Sequence, residues 1–232
     1  PRDIVAKGGV DTMNNDRFIS YLHALRHENT GTLAAYRRAC GQRLAESRKC
    51  QQFASISTRP ADFLTVTLVA QYSAAQIADG RHQKEYQYRG SIGAAWAAYC
   101  RKRDPEQDPA RFYRHRQEVL SQGQYAPRPP SIHERFRSTL DAELEVDGTG
   151  ELAHRLRGLV RMLVAEDVPI DVIQLAYDLR GWRSQNRYVQ ERWAKTFYAP
   201  VDAEQAENQD SEDFGQQQTE PNPEEEENDH AD

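Results

Sequence analysis

The chain has 232 residues, of which 38% are hydrophobic and 28% are charged. This length suffices for one large domain or two small ones, and the modest apolar share predicts that part of the chain does not join the core. No apolar run approaches the ~20 residues of a membrane span, and the N-terminus lacks the apolar core of a signal peptide. We therefore expect a cytoplasmic protein that does not engage a membrane.

Charge is distributed unevenly along the chain. Residues 201–232 contain thirteen acidic residues and no Lys or Arg, a composition typical of a disordered tail. Residues 1–200, the body of the chain, contain all 30 basic residues and 23 acidic ones. The body therefore has a net charge of +7, although the whole chain has −6. A basic body favours a polyanionic partner such as nucleic acid. However, ordinary charge that keeps the surface soluble explains a net charge of +7 equally well.

Apolar residues recur at helical spacing along the first half of the chain. Phe18, Leu22 and Leu25 mark the first predicted helix, and Pro60 stands where a later one begins. The β-branched stretch 65–69 is compatible with a strand. The proline start and the length of the apolar pattern favour a helix there.

Capping signals place the helices that follow. Ser91 and the pair Asp108-Pro109 each predict a helix start, and a basic loop over 80–90 precedes Ser91. Prolines at 127, 129 and 130 predict a subdomain boundary. Later helices are expected to start at Ser131, which forms a capping-box pattern with Glu134, after the turn 147–150, and at Asp171.

Together these signals predict an all-α fold of about eight or nine helices with essentially no strand. The predicted organisation is a flexible N-terminus over 1–14, an N-terminal helical subdomain over 15–126 and a C-terminal one over 131–199. A disordered acidic tail follows over 201–232.

The sequence contains no specific catalytic or metal-binding pattern. His23 and His27 lie four residues apart, as a metal pair would, but the chain has no HExxH motif and no evident third ligand. The three cysteines show no paired short spacing, which argues against a zinc ribbon or a redox site. No glycine-rich phosphate loop and no nucleophile motif is present. We therefore predict neither a metal, a cofactor nor an enzyme.

Basic residues form the more informative pattern. In the helix near 151–164, His154, Arg157 and Arg161 fall opposite the apolar face, and in the last helix Tyr188, Arg192 and Lys195 do the same. Cations interleaved with an aromatic can follow a phosphate backbone and stack on an unpaired base. A solvated helix face gives the same pattern.

Four blocks in the C-terminal third of the chain carry a family resemblance. In order they read SIHERFRSTLDAE, ELAHRLRGLVRMLV, IDVIQLAYDLRGW and RYVQERWAKTFY. The N-terminal part matches more loosely, through Phe18-x-x-x-Leu22-x-x-Leu25 and Ile92-Gly93-x-x-Trp96. Through these blocks the chain resembles the CasB family, the small subunit of the type I-E CRISPR surveillance complex called Cascade. The resemblance covers about residues 16–198.

This resemblance implies a non-catalytic helical subunit that assembles with the other Cascade subunits and crRNA, with two copies packed head to tail. It also implies that basic residues hold the R-loop DNA, notably the single-stranded non-target strand. Carried onto this chain, the implied contacts are Arg59, the basic-loop residues Arg81, Lys84 and Arg89, and Arg157, Arg183 and Arg187. The helical faces described above add Arg161, Arg192 and Lys195.

The chain departs from the family pattern at two places. Asp141, Glu143, Glu145 and Asp147 stand where some members are basic, and the acidic tail is not part of the pattern. Two alternatives remain: a helical protein–protein adaptor without nucleic-acid contact, and an enzyme without a recognisable motif. Alignment of the cations into one stripe would favour DNA binding over the adaptor.

Overall fold

The computed structural model describes residues 6–78 and 90–200. Within these ranges the chain forms nine α-helices and no strand, which confirms the predicted all-α fold. The α-helices are α1 (Ala6–Ala24), α2 (Thr30–Ala39), α3 (Pro60–Ala78), α4 (Ile92–Arg103), α5 (Pro109–Ser121), α6 (Ser131–Leu140), α7 (Glu151–Ala165), α8 (Val172–Gly181) and α9 (Tyr188–Phe197). Short 3-10 helices cover Leu25–His27, Leu44–Glu46, Arg48–Ser55 and Pro105–Gln107. The acidic tail lies outside the described residues.

Side-chain caps fix several helix starts as predicted. The hydroxyl of Ser91 accepts a hydrogen bond from Ala94 N, and the carboxylates of Asp108 and Asp171 accept from Ala110 N and Gln174 N. Each cap satisfies a backbone N–H that has no partner within its helix.

The capping box expected at Ser131 is wrong. Pro130 occupies the capping position, Ser131 is already helical, and no side chain caps α6. The carbonyl of Pro130 instead accepts from His133 N at 2.9 Å, so the proline itself ends the extended connection from α5.

Helix α3 is the central element. Its residues 62–73 are buried without interruption, because it packs against α2, α7 and α8. A helix enclosed on all sides needs no polar face, which explains the continuous apolar and β-branched run over 65–69. The interpretation of this run as helix rather than strand is confirmed.

Two core clusters meet at α3. One contains Trp96, Phe136 and Trp193 of α4, α6 and α9, and the other contains Phe18 and Tyr36 of α1 and α2. Opposite faces of α3 contribute to each cluster. The proline-rich segment 127–130 links α5 to α6, so helices from both sides of the predicted boundary share one core.

A buried ion pair fastens α8 to α3. Arg180 Nε and Nη2 donate to the two carboxylate oxygens of Asp62 at 2.6 and 2.9 Å, and Asp62 is 1% exposed. Arg180 Nη1 also donates to Asn15 Oδ1 of α1, and its guanidinium lies 4.9 Å from the centre of the Phe18 ring. Three helices are therefore held in register at the end of the molecule where α3 begins.

Candidate nucleic-acid interface

Seven predicted contact residues fall within the described part of the chain. The side chains of five are exposed: Arg157, Arg161, Arg183, Arg187 and Lys195. Arg59 and Arg192 are half-buried. The basic-loop residues Arg81, Lys84 and Arg89 lie outside the described residues.

The structure brings Arg59 and Arg183 to one surface depression of about 380 Å³, called the basic depression below. Its lining comprises Arg59, Pro60, Ala61, Leu144, Glu145, Val146, Gly148, Leu179, Arg180 and Arg183. Arg59 immediately precedes α3, and its carbonyl accepts from Asp62 N and Phe63 N. Arg183 follows the end of α8. Both residues thus lie at the ends of packed helices, which hold their backbones in place.

Gly148 closes one side of the basic depression. A Cβ at this position would lie 2.7 Å from the carbonyl oxygen of Pro60, and the backbone has a φ of +80°. Only glycine combines this backbone with so close an approach. The turn 147–150 therefore packs directly on the first residue of α3, beside Arg59.

Helix α7 places two further cations along α3. Gln71 Nε2 of α3 donates to the carbonyl oxygen of Arg157 at 2.9 Å, which fixes α7 against the middle of α3. At 1.5 Å per residue, Gln71 lies about 17 Å along the helix from Pro60. Arg157 and Arg161 are exposed on the outer face of α7. Exposed cations thus occur at two levels of α3: beside its first turn in the basic depression, and beside its middle on the outer face of α7.

Arg192 has a structural partner inside the fold. Its guanidinium forms an ion pair with Asp178, which is fully buried and also accepts from Trp193 Nε1 and Gln174 Nε2. Burial raises the pKa of Asp178, and its hydrogen bonds with Trp193 and Gln174 partly offset this rise. Arg192 is therefore already paired within the fold, and Lys195 is the more exposed of the two cations predicted on α9.

Arg187, the residue before α9, has an unusual backbone conformation. Its φ of +51° lies in the left-handed region, which is uncommon for a residue with a side chain. Its guanidinium donates to the carbonyl oxygen of Leu140 at 2.8 Å and lies 3.5 Å from a carboxylate oxygen of Asp141. Arg187 is therefore exposed but already paired with Asp141.

Helix α5 carries cations that sequence reasoning did not single out. Only Pro109 and Ala110 of this helix are buried, and Arg111 and Arg114 are exposed on it. Tyr125, just beyond the helix, is fully exposed. The sequence signal was present in the run ARFYRHR at 110–116, which has three arginines and a histidine within seven residues.

Buried titratable side chains of the described residues include the three cysteines and His133. No group of three metal-ligating side chains occurs in the described ranges. All three cysteines are buried and unbridged, and burial raises the pKa of each thiol, that of Cys100 to about 12. Burial lowers the pKa of His133, whose Nε2 lies 2.9 Å from the carbonyl oxygen of Gln107.

None of the helices in the described ranges is long and apolar enough to cross a membrane.

Comparison with known proteins agrees with this fold. The family model for CRISPR-associated protein Cse2 matches residues 32–198. The structure of CasB from M. ruber has a TM-score of 0.50 at 23% identity, covering 83% of this chain and 97% of that chain. A chain of a CRISPR RNA-guided surveillance complex has a TM-score of 0.54 at 20% identity, covering 84% of this chain and 98% of its own length. No curated protein matches the chain.

Proposed function

Since the chain belongs to the CRISPR-associated Cse2 family, we propose that it is the small subunit of a type I-E Cascade complex and binds the displaced non-target strand through its phosphates. In this role it has no catalytic activity and needs no cofactor. Its partners are the other Cascade subunits, crRNA and a second copy of itself.

The observation that carries this proposal is the placement of cations along α3. Arg59 and Arg183 line one depression at the start of α3, and Arg157 and Arg161 are exposed on α7, which packs along α3. In this proposal, a single strand that runs from the start of α3 towards its middle meets guanidinium groups at two separate points. Guanidinium groups form bidentate, charge-assisted hydrogen bonds with phosphate oxygens, which strengthens such contacts.

Phosphate contacts of this kind suit the energetics of an R-loop. The RNA–DNA heteroduplex is about as stable as the DNA duplex that it replaces, so a few backbone contacts can tip the balance. These contacts need not read sequence, because the guide RNA already does so by base pairing. The binding should weaken steeply with salt, by a slope of roughly 0.7 for each single-strand phosphate neutralised.

Reconstitution of the complex tests the proposal. The chain is mixed with the remaining Cascade subunits and crRNA from the same source, and entry into the complex is followed by size-exclusion chromatography. We expect stoichiometric entry and slower release of R-loop DNA than from complex lacking the chain. Exclusion from an otherwise intact complex contradicts the proposal.

A protein adaptor is the second candidate, and the exposed side of α5 favours it. Tyr113 and Leu120 are nearly half exposed, and Tyr125 is fully exposed. Apolar and aromatic groups at one surface are typical of protein interfaces. An adaptor without DNA contact predicts that the chain enters its complex but leaves the rate of DNA release unchanged.

A further inference from the structure

A groove lies between α6 and α7, and its volume is about 400 Å³. We call it the α6–α7 groove. Its floor is apolar and consists of Trp96, Gly158, Leu159 and Met162. Arg157 and Arg161, the cations of α7 that are proposed to hold DNA, do not line it. The groove is therefore distinct from the proposed DNA contacts.

Gly158 leaves the floor of the α6–α7 groove uncovered. It lies in the interior of α7, where glycine is less favourable than alanine by ~1 kcal/mol. Packing does not require glycine here, because a Cβ at this position would meet no atom within 4 Å. Glycine does allow a ligand to approach the backbone closely. A larger side chain at position 158 would occupy the groove, so the open floor depends on this residue.

The α6–α7 groove carries one cation that is available to an anion. Arg135 of α6 forms no ion pair with a described residue, and its Nη1 atom lies 3.9 Å from Met162 Sδ of α7. Arg155 is already neutralised, since its Nε and Nη2 atoms donate to Glu151 Oε1 at 3.0 and 2.5 Å. Two arginines and one glutamate, with His154 neutral, give the lining a net charge of +1. The unpaired guanidinium lies directly beside the apolar floor.

From these features we infer that the α6–α7 groove binds a segment of a protein partner in which a bulky aliphatic side chain neighbours a carboxylate. The aliphatic side chain packs on Leu159 and Met162 above Gly158. The carboxylate pairs with Arg135, whose planar guanidinium suits bidentate binding of a carboxylate. The flexible thioether of Met162 adapts to apolar groups of different shape, which suits a binding surface.

Nucleic acid is the poorer occupant of this groove. Single strands bind where several cations follow the phosphates and where exposed aromatic rings stack on the bases. Among the described residues of the lining, Arg135 alone offers an unpaired guanidinium. The one tryptophan of the floor, Trp96, is 1% exposed and presents no ring face for stacking. The inference goes beyond the proposed function and does not depend on DNA binding.

The inference can be tested on the isolated full-length chain, without DNA or other subunits. The chain has two methionines, so labelling of the methionine methyl groups gives two NMR resonances, and Met162→Leu identifies that of Met162. The probe is acetyl-Glu-Leu-amide, which joins a carboxylate to an aliphatic side chain. We expect a saturable shift of the Met162 methyl resonance with a Kd on the order of 10 mM.

Two matched probes separate the contributions of charge and apolar surface. Acetyl-Gln-Leu-amide lacks the carboxylate and should bind about threefold more weakly, as expected for loss of one exposed ion pair. Acetyl-Glu-Ala-amide lacks the bulky aliphatic side chain and should bind about fivefold more weakly.

Variants of the chain test the same two features. Gly158→Leu should weaken binding of acetyl-Glu-Leu-amide about tenfold or more without lowering the thermal midpoint, because leucine favours the helix and fills the groove. Arg135→Gln should remove the preference for acetyl-Glu-Leu-amide over acetyl-Gln-Leu-amide. Arg37→Gln, which removes an exposed cation of α2, is the control and should bind as the wild type does.

Three results overturn the inference. The first is the lack of a saturable shift of Met162 with acetyl-Glu-Leu-amide. The second is unchanged binding of this probe by Gly158→Leu, which would place it outside the groove. The third is tighter binding of a thymidine dinucleotide than of acetyl-Glu-Leu-amide, which would assign the groove to nucleic acid. None of these results bears on Arg59 and Arg183, so the proposed function is tested separately.

Discussion

Gly93 of α4 lies so close to Trp193 of α9 that a Cβ on Gly93 would be 2.0 Å from the carbonyl oxygen of Trp193. The hydroxyls of Ser91 and Thr196 are hydrogen-bonded beside this contact. The pairing of α4 with α9 therefore depends on the missing side chain at Gly93. It also holds the helix that carries Lys195 against the core.

Gly93→Ala should separate α4 from α9 and lower the free energy of unfolding by roughly 2–3 kcal/mol, as overpacking a rigid contact does. Denaturant unfolding followed by circular dichroism measures this. Gly158→Ala is the matched control, because no atom lies within 4 Å of the added Cβ. Alanine favours the helix by ~1 kcal/mol over glycine, so Gly158→Ala should stabilise the protein. Equal effects of the two substitutions would contradict this account.

Asp62→Ala should be strongly destabilising, because it leaves the guanidinium of Arg180 partly buried without its carboxylate. Removal of one partner from a buried pair typically costs ~3 kcal/mol or more. Asp62→Ala combined with Arg180→Met should recover part of this loss, since no charge then remains unpaired. A double-mutant cycle on unfolding free energies gives the coupling. If the two losses simply add, the ion pair does not fasten α8 to α3.

His133 should make the protein less stable in mild acid. Burial lowers its pKa in the folded chain, and its Nδ1 has no hydrogen-bond partner in its buried site. Below the ordinary histidine pKa of ~6.5 the unfolded chain therefore binds more protons than the folded one. This stability contribution is present above that pH and is lost as pH falls towards the folded pKa, by at most ~1.4 kcal/mol per pH unit.

Thermal unfolding at a series of pH values measures the effect of His133. His133→Phe should remove this part of the pH dependence, because an aromatic ring still packs against Phe112 and Phe197. His154→Gln, on the exposed face of α7, should retain the wild-type dependence. An unaltered pH profile in His133→Phe would assign the acid sensitivity to other groups.

The three cysteines should not react with a thiol reagent in the folded protein. Cys50 and Cys100 are 1% and 0% exposed, and burial raises the pKa of each thiol, so little thiolate is available. Titration with an aromatic disulfide reagent should detect no thiol in native buffer and all three in denaturant. Rapid reaction of any cysteine without denaturant would show that the core opens locally.

Much of the fold was predictable, because its signals are local. Pro60, Ser91, Asp108 and Asp171 mark helix starts through the chemistry of single residues, and the structure confirms each of them. The contact between Gly148 and Pro60 was not predictable, since it joins distant parts of the chain. Helical periodicity identifies a buried face without identifying what covers it.

In the candidate interface, too, local features could be predicted from the sequence and contacts between distant residues could not. The exposed positions of Arg157 and Arg161 follow from the helical period of α7. The ion pair between Arg192 and Asp178 joins two helices, so it cannot be predicted from the sequence pattern of either helix alone. Helix α5 gives the opposite case. Its start at Asp108-Pro109 was predicted, but its exposure was not: of its residues only Pro109 and Ala110 are buried.

The rate of R-loop release from the assembled complex tests the central claim most directly. Arg59→Ala combined with Arg183→Ala removes two of the three arginines that line the basic depression and keeps Arg180, which is paired with Asp62. The control, Arg48→Ala with Lys49→Ala, removes the same charge from an exposed site elsewhere. We predict release about tenfold faster for the Arg59 and Arg183 pair, with a shallower salt dependence, and the wild-type rate for the control. Equal rates for all three proteins, with normal entry into the complex, would contradict the claim that this face holds DNA.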